Sequence, residues 1–192
     1  MQLTLFVTAF LACLAAANPV FKHEPFATRD LPALKRGDGD IKGTNAYQAV
    51  AQWHNSLDVG KWYVFKQTLY EKDYTETQKA AYEQLPEDVK ALQKKLGFAH
   101  VWLVLGQVTE SGGWRHFKAN AWDLTLSRYR GPSDWNGPEN ADLAFLGKTD
   151  KNADDADKLA DEYKKAHPKF DVKDNNCATY VVAMVEKLDP QK

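Results

Sequence analysis

Cys177 and His100 are the residues of this sequence whose types can form the reactive pair of a thiol enzyme. Cys177 stands in the segment Asn175-Asn176-Cys177-Ala178-Thr179-Tyr180, which predicts the first turn of a helix capped by Asp174 or Asn175. Backbone amides at such a turn, together with the positive end of the helix dipole, stabilise a thiolate. A thiolate nucleophile also needs an imidazole that holds the ion pair and later protonates the leaving group. The two residue types therefore point to nucleophilic attack on a carbonyl carbon.

The helix that begins near Cys177 also admits a purely structural interpretation of the thiol. Cys177, Val181, Met184 and Leu188 recur with steps of four, three and four, the spacing of one buried helix face. Free cysteine is among the most often buried residue types. From this helix alone, a reactive thiol and a small core residue are both open.

His100 is the histidine whose predicted position suits a thiol partner best. The sequence has five histidines; His23 lies near the N-terminus, His54 lies at a predicted helix end, and His167 precedes a proline. His100 opens the strand predicted over 100–105, and the end of a strand can face the start of a helix packed on the sheet. The alternative is a half-exposed histidine without a role.

A predicted hairpin suggests a third member of the site. The strands over 100–105 and 114–126 flank Glu110-Ser111-Gly112-Gly113. A two-residue turn at Ser111-Gly112, or a four-residue loop over 110–113, places Asp123 opposite His100 on the same face of the sheet. A carboxylate there can fix the tautomer of the imidazole and stabilise its cation. A register slip of one residue aligns Asn120 or His116 instead.

The elements that must position these residues follow from hydrophobic periodicity and turn residues. Beyond the hairpin, we predict a helix from Thr44 or Asn45 that ends before Gly60, a strand over 62–70, helices over 75–84 and 86–96, a long loop over 130–140, a strand over 143–146 and a helix over 152–166. Helices, then an antiparallel sheet, then helices indicate an α+β fold.

The N-terminus has the features of a secretion signal. Leu3 to Leu14 is almost entirely apolar and is followed by Ala15-Ala16-Ala17, so residues 1–17 are predicted to be a signal peptide. A lipoprotein signal ending at Cys13 is an alternative, which the bulky residues before the cysteine disfavour. Residues 18–36 end in Lys35-Arg36 and are either a pro-segment cut after Arg36 or a flexible arm. The remainder, 37–192, is long enough for one domain.

The composition narrows the expected partners. The chain of 192 residues carries 25 basic and 26 acidic side chains, a balance that gives no reason to expect nucleic acid or an anionic membrane as partner. No apolar run is long enough for a transmembrane segment. The signal peptide predicts a secreted, extracellular protein. Its removal leaves one cysteine, so we predict a protein without disulfides. We also expect a monomer. One cysteine and scattered histidines give no metal-ligand spacing, so neither a metal nor another cofactor is expected.

Two short motifs together resemble a known family. The strand His100-Val101-Trp102-Leu103-Val104-Leu105-Gly106, with a later Asn176-Cys177 helix start preceded by Phe170-Asp171-Val172, is similar to the circularly permuted papain-like thiol enzymes. These include NlpC-type and lecithin:retinol acyltransferase-like proteins, and the resemblance covers roughly residues 98–188. It implies a papain-like permuted core with Cys177 as nucleophile, His100 as base and Asp123 at the position of the orienting polar residue.

The departures from the family favour one branch of its chemistry. In the acyltransferase branch the cysteine is followed by an acidic residue and a histidine, where this chain has Ala178 and Thr179. The resemblance therefore implies a peptidase-like or amidase-like hydrolase that acts on a peptide, amide or acyl substrate through an acyl-enzyme. A lipid acyltransferase is an alternative within the family.

An alternative of another class is a secreted binding or effector protein that has the same fold without turnover. It would use an exposed tryptophan-rich surface around Trp114, Trp122 and Trp135. Trp102, Trp122, Trp135 and Asn176 are the candidate binding residues.

Overall fold

Five antiparallel strands and five helices make up most of the chain that the computed structural model describes, which is residues 42–52, 57–138 and 141–191. A two-residue strand, β1, joins the sheet in parallel. The predicted signal peptide, the segment 18–36, and Trp53 and His54 lie outside the described residues. The α+β class is confirmed.

The strands hold aromatic and β-branched residues that suit a pleated, half-buried surface. They are β1 (Lys42–Gly43), β2 (Trp62–Leu69), β3 (His100–Ser111), β4 (Trp114–Leu124), β5 (Tyr129–Trp135) and β6 (Asp142–Thr149). The strand order is β1-β4-β3-β2-β6, with β5 also paired to β4. β3 is therefore a central strand, covered on both edges.

The helices, except for the one that follows Pro86, begin at polar caps whose side chains accept from backbone amides of the first turn. They are α1 (Asn45–Ala51), α2 (Glu76–Glu83), α3 (Glu87–Leu96), α4 (Ala153–Ala166) and α5 (Cys177–Leu188), with a short 3₁₀ turn at Glu71–Asp73. Thr75, Asn152 and Asn176 each form a capping box, in which the cap and the third helical residue bond each other's amides. No helix within the described ranges is long and apolar enough to cross a membrane.

The two faces of the sheet hold separate apolar clusters. One face packs against α4 and α5 and includes Leu103, Leu105 and Trp122. The other face packs against α1 and includes Phe65, Val104 and Phe117. His100 is the first residue of β3 and lies at one end of the sheet.

The hairpin register differs from the prediction by two residues. The turn is Gly112-Gly113, not Ser111-Gly112, so Ser111 pairs with Trp114 and Leu103 pairs with Trp122. Both glycines have positive φ, 60° and 76°, which a tight two-residue turn requires at its two central positions. A shift of two residues preserves the alternation of faces, so Asp123 still shares the face of His100 although it is no longer directly opposite.

Two further predictions are wrong in extent. Helix α1 stops at Ala51 with its C-cap at Gln52, short of the predicted end before Gly60. Much of the segment predicted as a loop over 130–140 belongs to strand β5, which pairs with the outer edge of β4. The segment forms a strand although it contains glycine and proline, which are typical of loops. Tertiary pairing thus outweighs the local signal there.

Candidate functional site

Cys177 is the first residue of α5, and the start of this helix is fixed by Asn176. Asn176 Oδ1 accepts hydrogen bonds from the amides of Ala178 (3.0 Å) and Thr179 (3.2 Å). The Thr179 hydroxyl in turn accepts from the Asn176 amide at 2.8 Å. The predicted caps, Asp174 or Asn175, are therefore wrong, because the N-cap is Asn176, which has an extended backbone and a side chain that reaches both amides.

The thiol of Cys177 is free and largely buried. The residue is 7% exposed and packs with Val181, Met184 and Leu188 in the cluster between α5 and the sheet. The apolar stripe of the sequence is therefore real. The thiol also lies close enough to His100 to raise the pKa of its imidazole, so a place in the core and proximity to an imidazole are both present.

The residue before His100, Ala99, is held by two backbone hydrogen bonds. The amide of Ala99 donates to the Leu69 carbonyl at 2.8 Å, and the Gln93 side chain donates to the Ala99 carbonyl at 2.8 Å. The Trp102 ring meets the imidazole edge-on, with centroids 4.5 Å apart and planes at 88°. These contacts fix the imidazole at the end of the sheet, with 19% of its side chain exposed.

Asp123 is the carboxylate in contact with this imidazole. His100 Nε2 lies 2.5 Å from Asp123 Oδ2, and the Asp123 side chain is 3% exposed. The β3–β4 pairing ends at Leu103 and Trp122, so the contact lies just beyond the paired segment. Asn120 pairs with Leu105 and His116 with Thr109, which places both alternatives away from His100.

Arg130 on β5 is a member of this cluster that the sequence analysis missed. Its Nε donates to Asp123 Oδ1 at 2.9 Å and its Nη2 donates to Oδ2 at 2.5 Å. Nothing in the sequence indicated this contact, because Arg130 lies at the start of the predicted loop and no strand partner was expected for it. Only the pairing of β5 with β4 brings it opposite Asp123.

These contacts decide the charges of the cluster. Burial raises the pKa of Asp123, but hydrogen bonds and charge from His100 and Arg130 outweigh it and hold the pKa below its ordinary value. Burial lowers the pKa of His100, whereas hydrogen bonds to Asp123 and Cys177 and their charges raise it to about 9. The imidazole is therefore a cation at neutral pH. Because Nε2 binds Asp123, Nδ1 is the ring nitrogen left for the thiol.

A hydrogen-bond donor for a developing oxyanion lies next to the thiol. The cap of α5 uses the amides of Ala178 and Thr179, and the Asn176 carbonyl accepts from Tyr180 at 3.0 Å. The Cys177 amide takes no part in this cap. Amides at a helix start are suited to anionic oxygen.

The candidate binding residues have mixed outcomes. Trp122 and Trp135 are buried, with their indole N–H groups donating to Asp157 (2.8 Å) and Gln67 (2.6 Å), so they do not form an exposed tryptophan surface. Trp114 is 46% exposed, and Trp102 is half-buried against His100. Asn176 is buried and its side chain caps α5. Two tryptophans thus fill the core, where indole N–H groups need partners.

Other kinds of site are less well supported by the described residues. No group of three or more His, Cys, Asp and Glu within them is placed to hold a metal ion. Two open surface cavities, of about 460 Å³ and 670 Å³, include none of Cys177, His100 and Asp123; the second is lined by Trp62, Trp135 and His116 among others. The case for the Cys177 cluster therefore rests on its hydrogen bonds rather than on a deep pocket.

Comparison with known proteins gives no independent assignment. No protein-family model, no curated protein and no solved structure matches this chain.

Proposed function

We propose that this protein is a secreted thiol hydrolase of the permuted papain-like kind, with Cys177 as nucleophile and His100 as general acid and base. The observation that carries the proposal is the hydrogen bond between His100 Nε2 and Asp123, together with a Cys177 thiol close enough to raise the pKa of the same imidazole. A nucleophile bonded to a base, which a third group orients, is the arrangement that covalent catalysis requires. Structural packing of a cysteine does not by itself require a charged imidazole beside it.

The first half of the proposed reaction forms an acyl-enzyme. The Cys177 thiolate attacks the substrate carbonyl carbon, forming a C–S bond while the carbonyl electron pair moves to oxygen. The Cys177 amide donates to that oxyanion. As the tetrahedral intermediate collapses, the bond to the leaving group breaks and imidazolium His100 gives its Nδ1 proton to the departing nitrogen or oxygen. A thioester on Cys177 and a neutral imidazole remain.

The second half returns the enzyme to its starting state. Neutral His100 takes a proton from water, whose oxygen attacks the thioester carbonyl. Collapse of this intermediate breaks the C–S bond and releases a carboxylic acid, and the thiolate and imidazolium are restored. Asp123 stays ionised throughout and stabilises the imidazolium in both halves.

This chemistry requires a substrate with an amide or ester carbonyl group. Peptides are the leading candidates. A lipid acyltransferase would form the same thioester but pass the acyl group to an acceptor other than water. The two activities differ in the product of the second half-reaction only.

Alkylation of Cys177 by iodoacetamide tests the reactive pair. In the full chain, digestion and mass spectrometry report labelling of Cys177 separately from Cys13. We expect wild-type Cys177 to react faster than glutathione at a pH of about 6, where an ordinary thiol of pKa about 8.5 is almost fully protonated. His100→Ala should slow this labelling at least about tenfold, and His116→Ala, a half-exposed histidine on the same hairpin, should not change it.

Turnover is tested with p-nitrophenyl acetate, which needs no knowledge of the natural substrate. We expect nitrophenolate release and a transient acetyl group on Cys177, both lost in Cys177→Ala. Reaction of wild-type Cys177 no faster than glutathione would sink the thiol-enzyme proposal. Fast alkylation without acetylation or nitrophenolate release would instead favour the binding or effector protein.

A further inference from the structure

We propose that Arg130 is a positioning residue for the thiol chemistry, which it serves by holding the Asp123 carboxylate in the orientation that supports His100. A one-residue β-bulge next to Gly131 places Arg130 opposite Asp123. This inference rests on the proposed function, because it assigns a role within the same cluster.

The ion pair between Arg130 and Asp123 has two-point geometry. Nε donates to Oδ1 at 2.9 Å and Nη2 donates to Oδ2 at 2.5 Å, so the planar guanidinium faces the planar carboxylate. Oδ2 also accepts from His100 Nε2 at 2.5 Å. Rotation of the carboxylate away from His100 therefore breaks both bonds to Arg130. A single-point cation, such as a lysine ammonium, would not resist that rotation in the same way.

The strand pairing shows that this contact depends on the bulge. Ala121 pairs with Ser133, and the regular continuation would pair Asp123 with Gly131 and place Arg130 on the opposite face of the sheet. The register shifts between Ala121 and Asp123, so Asp123 pairs with Arg130 instead. Bulges next to functional sites commonly re-aim a side chain in this manner.

Gly131 fits the bulge because of its backbone and its neighbours. Its φ is +122°, a conformation that side-chain-bearing residues rarely adopt. A Cβ there would lie 2.6 Å from Trp122 Cδ1 and 2.8 Å from the Ala121 carbonyl oxygen. Trp122 cannot give way easily, because its ring is buried and its Nε1 donates to Asp157 at 2.8 Å. The core on the other face of the sheet thus sets the position of Arg130.

The surroundings of Asp123 give Arg130 a role distinct from that of His100. The groups that act on the carboxylate or are affected by its charge are His100 from β3, Arg130 from β5 and Tyr180 from α5, and Cys177 acts on His100. Burial, followed by the charge of Asp123, raises the pKa of Tyr180, which therefore stays a neutral hydroxyl. Arg130 is the cation here whose charge does not change during the reaction. Its side chain is 44% exposed, so its replacement leaves no large cavity.

The pH dependence of Cys177 alkylation separates positioning from a merely structural ion pair. Without Arg130, the pKa of Asp123 rises, so the carboxylate is protonated at a higher pH and ceases to support the His100 cation. The acid limb of the alkylation profile, measured between pH about 4.5 and 8, should move to higher pH in Arg130→Gln. We expect the rate at pH about 5 to fall on the order of five- to tenfold, which is the effect of about one charge-assisted contact.

Two variants serve as controls in the full-length protein. Arg130→Lys keeps the charge but loses the fork, so its profile should lie between those of wild type and Arg130→Gln. Arg128→Gln removes an exposed arginine two residues away whose backbone bonds the Thr125 hydroxyl, and it should match wild type. Thermal unfolding of each variant verifies folding.

The outcomes distinguish this inference from the proposed function. Fast wild-type alkylation with an unchanged acid limb in Arg130→Gln would overturn the role of Arg130 and leave the thiol hydrolase intact. Slow wild-type alkylation would overturn the thiol hydrolase and the inference with it. If Arg130→Gln fails to fold, Arg130→Lys decides: a shifted acid limb supports the two-point contact, and a profile identical to wild type overturns it.

Discussion

Two buried polar clusters beside the sheet differ in charge. In one, Trp135 Nε1 donates to Gln67 Oε1 at 2.6 Å and Gln67 Nε2 donates to the Pro138 carbonyl at 3.2 Å. In the other, Asp123 binds His100 and Arg130. The first cluster is neutral, and its hydrogen bonds let an indole and an amide enter the core. The second is ionised and reaches the thiol.

The difference indicates what each cluster contributes. A neutral buried hydrogen bond stabilises by about 1 kcal/mol and does not change with pH. Burial of a carboxylate carries a desolvation cost that paired charges offset only in part. Charged groups held at that cost, beside a helix start that holds a thiol, are better explained by chemistry than by packing.

Of the changes to the two clusters, Asp123→Asn should have the largest effect on activity. The amide keeps the shape but removes the charge that stabilises the His100 cation and sets its tautomer. We expect nitrophenolate release to fall by about 10²- to 10⁴-fold, the range seen when an orienting carboxylate is lost from a triad. Steady-state hydrolysis of p-nitrophenyl acetate measures the effect. Wild-type rates in this variant would show that Asp123 has no part in the reaction.

The charged cluster should also make stability depend on pH. The pKa of folded His100 is about 9, above its unfolded value of 6.5, so its contribution is fully present below pH 6.5 and is lost as the pH rises through 9. We expect the free energy of unfolding to fall over this window by at most about 3 kcal/mol. Urea unfolding at several pH values measures it. His100→Gln should flatten this slope, and an equal slope in both proteins would contradict the assignment.

A change in the neutral cluster should lower stability without affecting thiol reactivity or the pH dependence of stability. Trp135→Phe leaves Gln67 Oε1 buried without its donor and should lower the free energy of unfolding by about 1–3 kcal/mol. Alkylation of Cys177 and the pH slope of stability should match wild type. Adding Gln67→Leu should recover part of the loss, because neither polar partner then remains. A change in thiol reactivity would show that the two clusters are coupled.

Part of the fold was predictable because it depends on local patterns. Thr75 and Asn152 begin helices that the sequence places within a residue or two, and Gly97 ends α3 with φ +75°, since caps and glycines act over a few residues. The hairpin strands were predicted as well. Their register was not, because Ser111-Gly112 and Gly112-Gly113 are both acceptable turn sequences and only the folded strands select one.

The candidate site was likewise predictable in part, where local patterns decide, and not where tertiary contacts decide. His100 and Asp123 were expected on one face, and the two-residue error in register left that face unchanged. Trp122 and Trp135 were expected at the surface, but burial depends on which side of the sheet the helices cover. Arg130 was missed because its position depends on a bulge that no local pattern announces.

The sequence by itself determined the residue types, the helix that starts near Cys177 and the parity that joins His100 to Asp123. These follow from capping and from the two-residue period of a strand, both of which act between near neighbours. The tertiary structure decided the charge of the cluster, because the pKa values of His100 and Asp123 depend on burial and on Arg130 from another strand. Strand pairing and helix packing act between residues far apart in the chain, and they bring a lone thiol next to the ionised groups of His100, Asp123 and Arg130.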